Sequence, residues 1–176
     1  MLRITITREG LSAIGKSGYR EAGRKAIEAA ALYWWNTYLP LHFQSIAYQR
    51  YRYEQRDKRT NAMKAARAPW PFADDPQPSI GEVKPLVFTG RSRERALSSP
   101  NIKAKAKNYE TYRADVIINA PAFNFGVGKR IDMRDEVTRT TPQELVTLED
   151  VFTREWNKQL KAAGLRAPRR TRQFAA

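Results

Sequence analysis

Tyr112-Arg113-Ala114-Asp115-Val116-Ile117-Ile118-Asn119 reads as a β-strand. Tyr112, Ala114, Val116 and Ile118 fall on one side, and Arg113, Asp115, Ile117 and Asn119 on the other, which is the period of two that strand geometry imposes. Just upstream, Ile102, Ala104 and Ala106 alternate with Lys103, Lys105 and Lys107. Asn108-Tyr109-Glu110-Thr111 between them looks like a hairpin connection. The two segments are therefore expected to pair antiparallel, with lysine on one face of the first strand. Lysines placed this way also blunt an exposed sheet edge.

Outward from the hairpin, Pro85-Leu86-Val87-Phe88-Thr89-Gly90 is a short apolar run between a proline and a Thr-Gly break. That pattern suits a further strand, with Pro85 at its first position, where no ladder donor is needed. Arg91 to Leu97 then reads as one or two helical turns. At the start of the chain Leu2, Ile4 and Ile6 alternate with Arg3, Thr5 and Thr7, predicting another short strand. The same segment lacks the long apolar core of a secretory leader.

Helical spacing dominates between these strands. From Tyr19 to Tyr38, one stripe is Ala22, Ala26, Ala29, Ala30, Tyr33 and Thr37, and an adjacent one is Ile27, Ala31, Trp34 and Tyr38; together they make a broad apolar face. Leu39-Pro40 ends that helix. A second helix is expected from Leu41 to about Ala66, where Tyr48, Tyr51 and Tyr53 are interleaved with Arg50, Arg52 and Arg56. The last helix opens on Thr141-Pro142-Gln143-Glu144, which has the spacing of a capping box with proline at the first helical position. Leu145, Leu148, Phe152, Trp156 and Leu160 predict its core face, and Gly164 predicts its stop.

The expected architecture is α+β: a small antiparallel β-sheet packed against long N-terminal helices and a C-terminal helix. It forms a single domain over residues 1–164, with long loops at 68–84 and 120–140 and a basic tail at 165–176. Both loops carry large aromatics, Trp70 and Phe72 in the first and Phe123 and Phe125 in the second. Loops of that length inside a domain tend to be functional. We expect these four residues, with Arg130 and Arg134, to contact neighbouring subunits or partners.

Composition narrows the chemistry. The 176 residues carry a formal net charge of +14 and no cysteine, so thiolate metal sites and cysteine nucleophiles are excluded and polyanions are attracted. No apolar run is long enough to cross a bilayer, and no membrane partner is expected. The one histidine, His42, reads as a capping or packing residue, because a functional imidazole needs an oriented partner. Acids cluster at Asp74-Asp75, at Asp132, Asp135 and Glu136, and at Glu149-Asp150. A magnesium nuclease using Asp132 and Asp135 is a reading that requires these groups to converge. Gly126-Val127-Gly128-Lys129 resembles a phosphate loop only in part, since Phe123 stands where the first glycine belongs. The residues thus point to a protein that is not an enzyme and takes no cofactor.

The chain resembles the small neck and tail-completion proteins of tailed bacteriophages, of the type related to minor tail protein Z. The resemblance rests on the alanine-rich first helix ending at Trp34 and Leu39-Pro40, on His42-Phe43, and on Tyr51-Arg52-Tyr53 with Arg56. It continues through Pro85 to Gly90 with its short helix, Asn119-Ala120-Pro121, and the helix opened by Thr141 to Glu144. The Pro-rich stretch from Ala68 to Lys84 looks like an insertion relative to that family. The resemblance implies an α+β virion protein assembled in a host cytoplasm. It also implies a homo-oligomeric ring that completes the tail, joins it to the DNA-filled head and meets a connector or adaptor, a tail terminator or the tail tube. Packaged DNA is a further candidate partner. The alternative is a nucleic-acid-binding protein that uses the Arg50 to Arg67 helix and the tail. Its DNA-facing side chains would be Arg50, Arg52, Arg56, Arg169, Arg170 and Arg172, the tyrosines stacking bases between them.

Overall fold

The computed structural model describes residues 1–8, 17–54, 58, 91–118 and 133–165, and shows the α+β fold. The elements are β1 (Leu2–Thr7), α1 (Ser17–Thr37), a 3-10 helix (Leu39–Phe43), α2 (Ala47–Arg50), α3 (Arg91–Leu97), β2 (Asn101–Ala106), β3 (Thr111–Ile117), α4 (Met133–Glu136) and α5 (Pro142–Ala162). They gather into two compact units. The first comprises the described parts of Met1–Asn36, Pro100–Ile117 and Pro142–Ala176; the second, those of Thr37–Ser99 and Ile118–Thr141.

The first unit is a sheet covered on one face by two helices. The sheet is antiparallel in the order β1-β3-β2, with Ile4 and Ala104 both opposite Ala114, and Arg3 and Lys103 both opposite Asp115. The hairpin forms as the alternation predicts. Its link is closed by the Asn108 side chain, whose Oδ1 accepts the backbone N–H groups of Glu110 (2.9 Å) and Thr111 (2.5 Å). This is the local bonding that makes asparagine a turn residue. The inward row Tyr112, Ala114 and Val116 is fully buried.

Tyr112 is the wedge between the layers. Its ring lies against α1 at Gly23, where a Cβ would sit 1.9 Å from the ring's Cε1. It also meets Phe152 of α5, with centroids 5.6 Å apart, and its hydroxyl donates to the Tyr109 carbonyl. Burial pushes its phenol up to about 12, so it stays protonated and can keep donating. The slot at Gly23 also sets the apolar face of α1. Tyr19, Ala22, Gly23, Ala26, Ile27, Ala30, Ala31, Trp34 and Trp35 are buried. Of the first predicted stripe, Ala29 and Tyr33 are only half-covered and Thr37 is exposed, because the face is centred on the residues that flank the wedge. Burying side chains the size of Ile27, Trp34 and Phe152 stabilises by ~1.5–3 kcal/mol each.

Along α5 the buried residues are Glu144, Leu148, Val151, Phe152, Trp156 and Leu160. Leu145, expected in this face, is instead exposed. The ridge runs in steps of four through 148, 152, 156 and 160, and its continuation toward the N-terminus is 144; residue 145 is turned by about 100°. The helix stops as expected. Gly164 takes φ +67°, its N–H donates to the Lys161 carbonyl (3.1 Å), and the Leu165 N–H donates to Leu160 (2.9 Å). This pair of bonds defines a Schellman end, and it lays Leu165 against Gly18 at the start of α1. Arg8, at the end of β1, is buried over the rings of Phe152 and Trp156 (5.5 and 5.8 Å). It also bonds Thr153 and lies 3.8 Å from Glu149, tying the strand to α5.

In the second unit the structure corrects the expected Leu41 to Ala66 helix over its first part; beyond it Lys58 is helical, and residues 55–57 and 59–66 lie outside the described residues. The chain makes a single 3-10 turn through Pro40 and His42, and Gln44 is extended, with ψ 161°. Only the four residues of α2 are helical before Tyr51. Arg52 then adopts φ +52°, a left-handed conformation that costs ~1–2 kcal/mol in a non-glycine residue. The helical propensity of this segment is outweighed by the contacts that Tyr51 and Tyr53 make once they leave the helix. Met133–Glu136, expected within an irregular region, forms the one-turn helix α4. The strand expected at Pro85 to Gly90, the 68–84 loop and residues 120–132 lie outside the described residues.

Candidate functional site

Two features stand out, one in each unit. In the second unit, Tyr51-Arg52-Tyr53 folds back over His42. The imidazole is fully buried and stacks on Tyr51, with ring centroids 3.8 Å apart and 11° between planes. The Tyr53 hydroxyl donates to the Glu136 carbonyl at 2.7 Å. Having one proton, that hydroxyl must accept from His42 Nδ1, 2.5 Å away, which fixes the Nδ1–H tautomer. Desolvation, with the nearby positive charge of Arg50 in the same direction, pulls the imidazole down to about 3 against an opposing backbone bond to Glu136. His42 is therefore neutral throughout the physiological range.

Glu136 and Arg139 complete the clamp. Glu136 is buried, and its Oε1 accepts the Glu54 N–H at 3.1 Å. Arg139 lies 5.9 Å over the Tyr53 ring. It donates to the Arg52 carbonyl at 2.9 Å and to Asp135 Oδ2 at 3.0 Å. Arg50 lies 5.7 Å over the rings of both Tyr38 and Tyr51. A general base needs access to substrate and a pKa near the working pH, and His42 has neither. The packing role expected of His42 thus takes the form of a stacked, hydrogen-bonded clamp across distant segments.

In the first unit, the sheet face turned away from the helices is basic. The register sets Arg3, Asp115 and Lys103 in one row across the strands, and Thr5, Arg113 and Lys105 in the next. Lys107, which continues the alternation of β2, donates its N–H to the Thr111 carbonyl at 2.8 Å. The three lysines are exposed. Asp115 lies between two arginines, accepting from Arg113 Nη2 (2.6 Å) and Arg3 Nε (3.0 Å). Arg113 first, then Arg3, holds its carboxyl below the usual range. This carboxylate orients both guanidinium groups along the face.

Of the site residues expected from the sequence, Arg50 lies on its tyrosines, half-buried. Arg52 is exposed beyond the end of α2, so the two do not share a helix face. Arg134 lies in α4. Trp70, Phe72, Phe123, Phe125, Arg130, Arg56, Arg169, Arg170 and Arg172 fall outside the described residues. Sequence reasoning missed the basic face. The lysine alternation was visible, but only the β1–β3 register sets Arg3 opposite Asp115, one row from Arg113. Among the described residues, no group of three acids or histidines is arranged to hold a metal ion, and no helix is long and apolar enough to cross a membrane. Compared with protein-family models, with curated proteins and with solved structures, the chain matches none.

Proposed function

We propose that this chain is a structural protein of a tailed-phage neck. It forms a homo-oligomeric ring in the virion that completes the tail and joins it to the DNA-filled head, without catalysing a reaction. The observation that carries this reading is the clamp. His42 and Tyr51-Arg52-Tyr53 are among the pieces on which the resemblance to neck and tail-completion proteins rests, and the His42 ring is engaged with both tyrosines. Side chains engaged in such contacts suit a scaffold that is recognised by shape, and the α+β architecture fits the same family.

The test is genetic. Inactivating the gene in its phage should leave DNA-filled heads and separate tails in electron micrographs, and supplying the chain in trans should restore joined particles. Normal joined, infectious particles from the inactivated phage would overturn the proposal.

A further inference from the structure

We infer that the open face of the β1-β3-β2 sheet binds the phosphate backbone of duplex nucleic acid, without sequence readout. Its exposed cations are Arg3, Lys103, Lys105 and Lys107; beneath them Asp115, the one acid of these strands among the described residues, binds Arg3 and the mostly covered Arg113. Edge protection accounts for lysines on β2. It does not account for Arg3, half-exposed on the opposite edge, while Arg113, on the central strand, is mostly covered and bound to Asp115. Exposed positive charge thus flanks the covered Arg113–Asp115 pair on both edge strands, Arg3 on β1 and the three lysines on β2, which is the electrostatic footprint of a phosphate-binding surface.

The geometry selects the occupant. Alternate residues of a strand are ~6.6 Å apart, so Lys103, Lys105 and Lys107 form a straight row of cations that suits a rigid, evenly charged polymer. Thr5 and Thr7 add hydroxyls on the same side of β1, groups that bond phosphate and sugar oxygens. The row holds no aromatic residue on which an unpaired base could stack, so single strands lack their usual platform. Ile117, half-buried opposite Asn101, is the one large apolar side chain of this face among the described residues, too little apolar surface to enter a bilayer. The inference does not rest on the neck reading, and either can fail alone.

The probe is a short mixed-sequence DNA duplex, titrated with the full chain between about 50 mM and 200 mM salt. The wild type should bind with a steep salt dependence. Replacing Lys103, Lys105 and Lys107 together by glutamine should lower the log–log salt slope by ~2.7, or about 0.9 per lost phosphate contact. The control triple Lys25→Gln, Arg154→Gln and Lys161→Gln removes the same charge from exposed positions on α1 and α5 and should leave the slope nearly unchanged. Should circular dichroism show that the lysine triple does not fold, Lys105→Gln alone should lower the slope by ~0.9. Equal losses in both triples, an unchanged slope in the lysine variants, or no binding to duplex at about 50 mM salt would overturn the inference. So would tighter binding to phosphatidylserine vesicles than to duplex.

Discussion

Gly23→Ala is expected to destabilise the fold by about 2 kcal/mol or more, although alanine is the better helix former by ~1 kcal/mol. The two effects compete at one atom. An added Cβ would lie 1.9, 2.3 and 2.4 Å from three carbons of the Tyr112 ring, far inside contact distance. A flexible side chain could swing aside, but Tyr112 is fully buried. Its ring is backed by Phe152 and its hydroxyl is bonded to Tyr109. Either the ring leaves its rotamer or α1 lifts from the sheet, and each route gives up packing along several residues. Chemical denaturation followed by circular dichroism should show a lower midpoint. Tyr112→Ala, destabilising alone by ~3–5 kcal/mol, should make room for the methyl, so the double variant should cost less than the sum. A neutral or stabilising Gly23→Ala would contradict the wedge.

The second large effect is acid sensitivity that runs through His42. Unfolded, the imidazole titrates near its ordinary 6.5; folded, it is depressed to about 3. Between those values the unfolded chain binds a proton that the native chain does not, so stability falls as pH falls. The contribution is intact above about pH 6.5 and fades through the window down to about 3. Linkage puts the loss at ~2 kcal/mol by about pH 5. His42→Asn removes the titration and keeps an N–H donor. It should be less stable than the wild type near neutrality, yet flatter between about pH 7.5 and 5 by that same ~2 kcal/mol. Tyr53→Phe tests the other end of the relay. It removes one hydrogen bond from the Glu136 carbonyl and one from His42 Nδ1–H, for a loss of roughly 1–2 kcal/mol at neutral pH. Parallel pH profiles for the wild type and His42→Asn would show that the imidazole is not held neutral.

How much of this was legible in the sequence follows from range. The β2–β3 hairpin, β1, α3 and the ends of α5 were readable because period-two alternation, a proline at N1 and a glycine stop are local chemistry. The pairing of β1 with β3 was not, since Leu2 meets Val116 and no local pattern records such a partner. The helix expected from Leu41 is interrupted between Tyr51 and Glu54 for the same reason. Tyr53 is drawn out of helical spacing by a carbonyl 83 residues away, and long-range contacts of this kind override propensity. Leu145 was misplaced more simply. An apolar residue one step off a four-residue ridge looks like core in a linear pattern, whereas the ridge passes through Glu144, which is buried. The candidate surfaces divide in the same way. The lysine row was in plain view, but its extension into a basic face depended on the sheet order. His42 was legible as a packing residue and not as the centre of a clamp.

As the neck protein proposed above, the chain would be a built-in part of the particle. Mass spectrometry of purified, DNA-filled virions with quantitation against the major capsid protein addresses it most directly. The expected result is the intact chain at a constant number of several copies per particle, retained through density-gradient purification and high-salt washing. Its absence from mature virions, or a copy number that varies with washing, would contradict the claim.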